Sequence, residues 1–495
     1  MPTPIIVAID EGTTNAKAVC IDRDGQIIAK GSRPLSLTHP RAAWSEQDPL
    51  VIIQAVKEAI TEALAGVADA EIAGVAISNQ RESVLIWDRA TGEPLSPVVT
   101  WQCRRSDAFC RRLAASDNAL TVQAKTGLPV DPLFPAAKIK WLLDEIPNAR
   151  SKADDGSLCV GTIDTWLVWH LTGQQAFVTD YSNASRTQLF DIYQEQWDND
   201  LLALFDIPAS CLATVCQSSG LRGVTRGFGA LPDGVPVLSQ IGDSHAALYG
   251  QGGFVPGVIK ATYGTGSSLM TPVTTVESDD YRLARTVAWH DDALTYALEG
   301  NITHTGAGMS FMSKMLGIND MDKLVAMAES TESNDGVYFV PALSGLGAPY
   351  WNSEARGLIT GLTDNATPAI LARAALESVA YQVADVFYLM ESLSGSKLEA
   401  LLVDGGATRC RWLMQFQADL LNRPVLRCKT AEVSALGAGY LAGKALGWWA
   451  TRQDLAALSR QVEVIEPGSP RVDLSESYAG WKQAIERTLL TPTAE

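Results

Sequence analysis

The feature that most constrains this chain is a polar, glycine-bearing loop set between two extended segments. Ile5 to Ile9 is apolar and largely β-branched and runs into Asp10-Glu11-Gly12; Lys17 to Ile21 then resumes an extended pattern before the Asp24-Gly25 turn and a third segment, Gln26 to Gly31. In a Rossmann or P-loop unit the glycine-rich turn has to open a helix, so that phosphate meets the helix N-terminus. Here the loop joins strand to strand. The same order returns in the second half, where Val258 to Thr262 leads into Tyr263-Gly264-Thr265-Gly266-Ser267-Ser268. Two such units imply two α/β domains facing each other across a cleft, although their sequences are too different to make a repeat.

Other segments fit alternating strands and helices. Asp48-Pro49 opens an amphipathic helix to about Ala65, with Leu50, Ile53, Val56, Ile60 and Leu64 at helical spacing, and a strand follows at Ile72 to Ile77. Further helices are expected at Ala137 to Glu145, Asp164 to Leu171, His304 to Met315 and Pro368 to about Ser392. Glycines cluster at 250, 252, 253 and 257, which places the domain boundary near Tyr249 to Pro256 and divides the chain into 1–249 and 250–495.

Composition narrows the function class. A chain of 495 residues is too long for one ordinary core, and 46% hydrophobic with 19% charged residues is a globular balance with no apolar run of membrane length. The net charge of −17 and the lack of a basic patch argue against nucleic acid and anionic membranes as partners. A nucleotide is not excluded, because Mg²⁺, backbone N–H groups and a few cations neutralise phosphates locally. Eight scattered cysteines without a CxxC pair suggest neither a zinc site nor a disulfide framework, and His39, His170, His290 and His304 form no metal motif. The short N-terminal apolar run is no secretory leader, so a cytoplasmic location is expected.

Asp10-Glu11-Gly12-Thr13-Thr14-Asn15-Ala16-Lys17 has the parts of a phosphate cradle: a carboxylate for Mg²⁺ or its water shell, a glycine for close approach, hydroxyl and amide donors, and a cation. Alone, it reads equally well as a polar hairpin. A third strand, Leu401 to Val403, ends in Asp404-Gly405-Gly406-Ala407, where missing side chains let the backbone approach a ring or a phosphate. Asp243, followed by Ser-His-Ala-Ala-Leu, fits both a helix cap and a general base. Arg81 and Glu82 fit both surface charges and a donor–acceptor pair for hydroxyls, and Trp101 fits both core packing and an apolar wall.

These loops, in this order, resemble the FGGY carbohydrate kinases, a family within the actin-like ATPase superfamily, and among them most the glycerol kinases. The resemblance spans nearly the whole chain. It is carried by "DEGTTNAKAV" at Asp10, "NQRESVLIWD" at Asn79, "TWQCRR" at Thr100, "FPAAKIKWLLDE" at Phe134, "TDYSNASRTQLFDI" at Thr179, "GDSHAALYGQ" at Gly242, "YGTGSSLM" at Tyr263 and "VDGGATRCRWLMQFQADLL" at Val403.

The resemblance implies two actin-like, ribonuclease H-like domains flanking a deep cleft, and transfer of phosphate from ATP to a polyol. Gly12, Thr13, Thr14 and Lys17 would line the ATP phosphates with Gly264 and Thr265; Gly306, Gly405, Gly406 and Ala407 would bound the adenosine; Asp10, with Asp243, would hold Mg²⁺. Asp243 would be the general base, Arg81 and Glu82 would bond acceptor hydroxyls, and Trp101 would lie beneath the carbon chain. The acceptor would be glycerol or a close polyol. Dimers and tetramers occur in that family, but the sequence identifies no interface.

The pattern departs at the acceptor. Leu133 stands where glycerol kinases carry a substrate-contacting tyrosine, and Ser244-His245 replaces a Gln-Gln pair. His245 fits both a bond to a sugar hydroxyl and simple packing. These changes open a second reading, a kinase for a four- or five-carbon polyol or ketopentose such as erythritol, threitol, ribitol, xylulose or ribulose. A non-catalytic, nucleotide-dependent sensor would keep the glycine loops but need not keep Arg81, Glu82 and Asp243 together.

Overall fold

The computed structural model describes residues 2–490, except 68, 256, 276–279, 319, 431, 459 and 469–471. Two mixed sheets organise it. The first has six strands, ordered across the sheet as Ser219–Val224, Pro236–Gly242, Ala70–Asn79, Thr3–Glu11, Asn15–Ile21 and Ile27–Pro34. The second has seven, ordered Ala284–His290, Leu294–Ile302, Ser267–Val273, Val258–Tyr263, Ala400–Gly405, Val425–Cys428 and Val462–Ile465.

Both sheets follow one plan. In the first, Thr3–Glu11 runs antiparallel to its hairpin partner and parallel to Ala70–Asn79, which is parallel to Pro236–Gly242, and Ser219–Val224 closes the edge antiparallel. In the second, Val258–Tyr263 has the same relation to Ser267–Val273, Ala400–Gly405, Val425–Cys428 and Val462–Ile465, with Ala284–His290 added at the far edge. The two glycine loops therefore occupy equivalent corners of duplicated folds, a relation that the sequences conceal.

Side-chain alternation explains the apolar run Ile5 to Ile9. Ile5, Val7 and Ile9 point into a core shared with the helix Pro49–Ala65, whereas Ile6 and Ala8 pack with Ala438, Leu441 and Ala442 of the helix Val433–Ala445. A helix late in the chain thus covers the second face of the first sheet. It crosses the helix Asp243–Gly250 closely: a Cβ on Gly437 would lie 1.8 Å from the carbonyl oxygen of Ala246. The helix Pro49–Ala65 starts where Asp48 accepts from the N–H groups of Leu50 and Val51, with Pro49 in its first turn.

The other expected helices run Pro135–Glu145, Ile163–Leu171, Gly306–Met315 and Pro368–Ser394, the last largely buried against the second sheet. No helix among the described residues is long and apolar enough to cross a membrane.

Candidate active site

The first loop leaves its sheet at Asp10, which pairs directly opposite Lys17 and lies beside Ser78, whose hydroxyl donates to its Oδ1 at 2.9 Å. Gly12 N–H donates to Asn15 O at 3.0 Å and tightens the turn. In the second loop Gly264 N–H donates to Gly266 O at 2.8 Å, and Gly306 N–H and Ala307 N–H reach back to Gly264 O and Thr265 O, which rests the loop on the start of the helix Gly306–Met315. Gly405 has φ +95°, and a Cβ there would meet the Tyr263 carbonyl oxygen at 2.3 Å, so only glycine lets the third loop pass the second.

A cavity of about 590 Å³ opens between the sheets. Asp10, Lys17, Asp243 and Ser244 line it from the first half, and Lys260, Thr262, Asp404, Gly405, Gly406, Arg409, Arg427 and Lys429 from the second. Six of the residues singled out in the sequence therefore share one space: Asp10, Lys17, Asp243, Ser244, Gly405 and Gly406. Gly12, Thr13, Thr14, Gly264, Thr265, Gly306 and Ala407 belong to the surrounding loops and do not line it; Arg81, Glu82, Trp101, Leu133 and His245 lie outside it as well.

Charge is concentrated here. Burial pushes the Asp10 carboxyl up to about 6 against the pull of Lys17, with nearby Asp243 adding to the rise. Asp243 begins its helix without capping it, since Gly242 holds the N-cap position. Burial raises its carboxyl too, and Arg81, whose Nε lies 3.3 Å from Oδ1, opposes the rise. The Asp243 side chain keeps 37% exposure, so it is enclosed by protein yet open to a ligand. Lys17 is paired with Glu432 at 2.7 Å, an ion pair between the two halves of the chain. Lys260 is buried on the strand Val258–Tyr263, where desolvation lowers its pKa and Asp404 and Asp243 hold it up.

Beside Asp243 runs a chain of alternating charges. Arg81 Nη2 donates to Glu299 Oε1 at 2.8 Å, Arg186 Nη1 lies 2.6 Å from Glu299 Oε2, and Arg186 Nε donates to Glu82 Oε1 at 2.6 Å. Glu299 is fully buried; burial alone would raise its carboxyl, but Arg186 and Arg81 outweigh it and hold the group well below the usual carboxylate range. Glu82 sits at φ +61°, an uncommon conformation for a residue with a side chain. Lys138 fixes it: its buried ammonium donates to Glu82 O at 2.9 Å and to Leu133 O at 2.6 Å, while desolvation brings its pKa down to about 7.

Trp101 is 38% exposed and its Nε1 donates to Thr13 Oγ1 at 2.9 Å, which joins it to the first glycine loop. Leu133 packs against Leu128, Phe134 and Ala284. His245 has no exposure; burial keeps it neutral, its Nε2 lies 3.5 Å from Thr286 Oγ1, and its Nδ1 has no partner among the described residues.

Sequence reasoning missed Lys138, Arg186, Lys260 and Glu299. Each left a trace. Lys260 and Glu299 interrupt apolar strands, Val-Ile-Lys-Ala-Thr-Tyr and Tyr-Ala-Leu-Glu-Gly, and a lone charge there signals a buried, paired group.

Residues 5–250 match the N-terminal domain of the FGGY family of carbohydrate kinases, and residues 259–446 match its C-terminal domain. The chain belongs to this family. An apulose kinase of Pectobacterium atrosepticum is 57% identical over 496 residues, covering the whole of both chains. A glycerol kinase of Xanthomonas campestris is 42% identical over 494 residues, covering 99% of each. The crystal structure of Plasmodium falciparum glycerol kinase with ADP superposes with a TM-score of 0.93 at 32% identity over 99% of each chain. This FGGY kinase therefore has the two-domain actin-like ATPase fold and is a sugar or polyol kinase acting on a small molecule.

Proposed function

We propose that this kinase transfers the γ-phosphoryl group of ATP to a terminal hydroxyl of a five-carbon ketose, with apulose as the leading acceptor and Asp243 as general base. The observation that carries the reaction is the place of Asp243: it lines the cavity between the two sheets with Asp10, Lys17 and Lys260, and Arg81 Nε lies 3.3 Å from its Oδ1. An alcohol is a poor nucleophile at neutral pH until a positioned carboxylate takes its proton during attack. The acceptor oxygen bonds to the γ-phosphorus, the bond from that phosphorus to the β–γ bridging oxygen breaks, the proton passes to an Asp243 oxygen, and ADP leaves.

The first half, 1–249, supplies the acceptor site and the first phosphate loop in this reading, and 250–495 holds most of the nucleotide. Thr13, Thr14 and Thr265 offer donors to the phosphates, Gly12 and Gly264 keep their two hairpins tight, Lys17 and Lys260 offset the phosphate charge, and Gly306, Gly405, Gly406 and Ala407 leave room for the adenosine. Asp10 and Asp243 are hard oxygen donors on one wall of the cavity, and two carboxylates completed by water and phosphate oxygens suit Mg²⁺. When bound there, the ion would neutralise phosphate charge. Closure of the halves would exclude water as a competing acceptor.

The choice of acceptor is supported by the 57% identity to an apulose kinase against 42% to glycerol kinases, and by Leu133, Ser244 and His245, which depart from the glycerol kinase pattern. Glycerol is the second reading, favoured by Arg81, Glu82 and Trp101. A coupled ADP-release assay over apulose, ribulose, xylulose, erythritol, threitol, ribitol and glycerol tests it. Apulose is expected to give the highest kcat/KM; a higher value for glycerol would replace the ketose reading, and no stimulation by any of them would favour a sensor. Asp243→Asn is expected to abolish transfer while leaving ATP binding nearly intact, and undiminished transfer would remove the base role.

A further inference from the structure

Glu299 is the one member of the charge chain beside Asp243 that comes from the second sheet. It sits on the strand Leu294–Ile302, whereas Arg81, Arg186 and Glu82 all come from the first half. Its two carboxylate oxygens are divided between two guanidiniums, Oε1 to Arg81 and Oε2 to Arg186. Oε1 also accepts from the Ser268 hydroxyl at 3.2 Å, and Ser268 lies just after the second glycine loop, on the strand Ser267–Val273. One buried carboxylate thus touches the acceptor side of the first half and the phosphate-loop strand of the second.

The guanidiniums are not saturated by these bonds. Each makes one hydrogen bond, Arg81 through Nη2 and Arg186 through Nε, and one further ion contact, Arg81 Nε at 3.3 Å from Asp243 Oδ1 and Arg186 Nη1 at 2.6 Å from Glu299 Oε2; Arg81 Nη1 and Arg186 Nη2 are buried with neither among the described residues. Buried donors without partners are costly, and a site built to bond a hydroxyl or carbonyl oxygen leaves such donors free until that oxygen arrives.

We propose that Glu299 is a positioning residue for the acceptor: it fixes the planes of Arg81 and Arg186 so that their free N–H groups meet acceptor oxygens, and the acceptor site is complete only when the two halves are together. This rests on the reading of the Arg81 side of Asp243 as the acceptor site. A planar guanidinium that meets carboxylates at two of its nitrogens, one by a hydrogen bond and one by an ion contact, is held against rotation, so the remaining Nη points in a fixed direction. Without Glu299 the two arginines, both close to the same point, would repel each other and turn away. The second half would then lose its hold on the acceptor, with the phosphate loops themselves unchanged.

The test is steady-state kinetics of the full chain carrying Glu299→Gln, Glu299→Asp or Ser268→Ala, with ATP and the acceptor of highest kcat/KM in the panel above. Glu299→Gln is expected to raise the acceptor KM by roughly 10- to 100-fold with the ATP KM within about threefold of wild type. Glu299→Asp should recover part of the loss, and Ser268→Ala, which removes one neutral bond, should raise the acceptor KM by about two- to fivefold. An unchanged acceptor KM, or acceptor and ATP KM rising together, would overturn the proposal. If Glu299→Gln does not fold, Ser268→Ala decides by the same split. Transfer retained in Asp243→Asn would sink the functional reading by itself, whereas a dead Asp243→Asn beside a wild-type acceptor KM in Glu299→Gln would sink only this inference. No transfer to any panel member would overturn both.

Discussion

The indole of Trp101 does two things at once. In the proposed reaction its face walls the acceptor; in the structure its Nε1 donates to Thr13 Oγ1 at 2.9 Å, and Gln47 Nε2 holds the Thr13 carbonyl at 2.8 Å. The first glycine loop is therefore anchored to the Trp101 indole by one hydrogen bond. Trp101→Phe keeps an aromatic face and removes that donor. The ATP KM is expected to rise about three- to tenfold with the acceptor KM within about twofold, the size of one lost hydrogen bond; steady-state kinetics checks it, and an acceptor KM that rises instead would assign the indole to acceptor packing alone. Residues of this kind were readable by type: the sequence supplied Trp101, Arg81, Glu82 and Asp243 as polar or aromatic groups inside recognisable runs. Their partners were not, because Arg81 and Glu299 are 218 positions apart, and nothing local to either names the other.

At the scale of elements, the close crossing of the helices Asp243–Gly250 and Val433–Ala445 fixes the position of Asp243, the proposed base. The crossing depends on Gly437, where a Cβ would stand 1.8 Å from Ala246 O, and on Gly250, where one would stand 2.3 Å from Val433 O. Backbone cannot yield as a flexible side chain can, so Gly437→Ala has to push the helices apart, a destabilisation of about 1–3 kcal/mol or more. A lowered thermal midpoint, with transfer falling because Asp243 starts one of these helices, is the expected outcome; a midpoint equal to wild type would show that the helices slide freely. Strand order near the first loop was legible because period-2 patterning and the Asp24-Gly25 turn are local signals. The cover over the second face of that sheet was not, since it arrives from residues 433–445, where small residues announce a close approach without saying to what.

For the whole molecule, pH dependence is a sum of buried groups acting in opposite senses, and one of them can be isolated. Glu11 is fully buried beside the first loop, accepts from Gln80 Nε2 at 2.9 Å through Oε1, and has no partner for Oε2 among the described residues. Burial raises its carboxyl from 4.5 to about 8, with the Gln80 bonds only partly offsetting the rise. Between pH 6.5 and 8 the folded chain thus keeps a proton that the unfolded chain has lost, and this contribution to stability falls as pH rises. Lys138, lowered to about 7, works the other way: above that value the unfolded chain holds the extra proton and stability rises with pH. Asp10 and Asp164, raised to about 6, and His170, lowered to about 4, act mainly below this window. Comparison with Glu11→Gln, neutral at every pH and able to accept the same bond, separates Glu11 from the rest. Wild-type stability relative to that variant is expected to decline by about 2 kcal/mol from pH 6.5 to 8. Thermal midpoints of both proteins across that range measure it, and parallel curves would mean that Glu11 is already ionised in the fold, with its charge borne beside the first glycine loop.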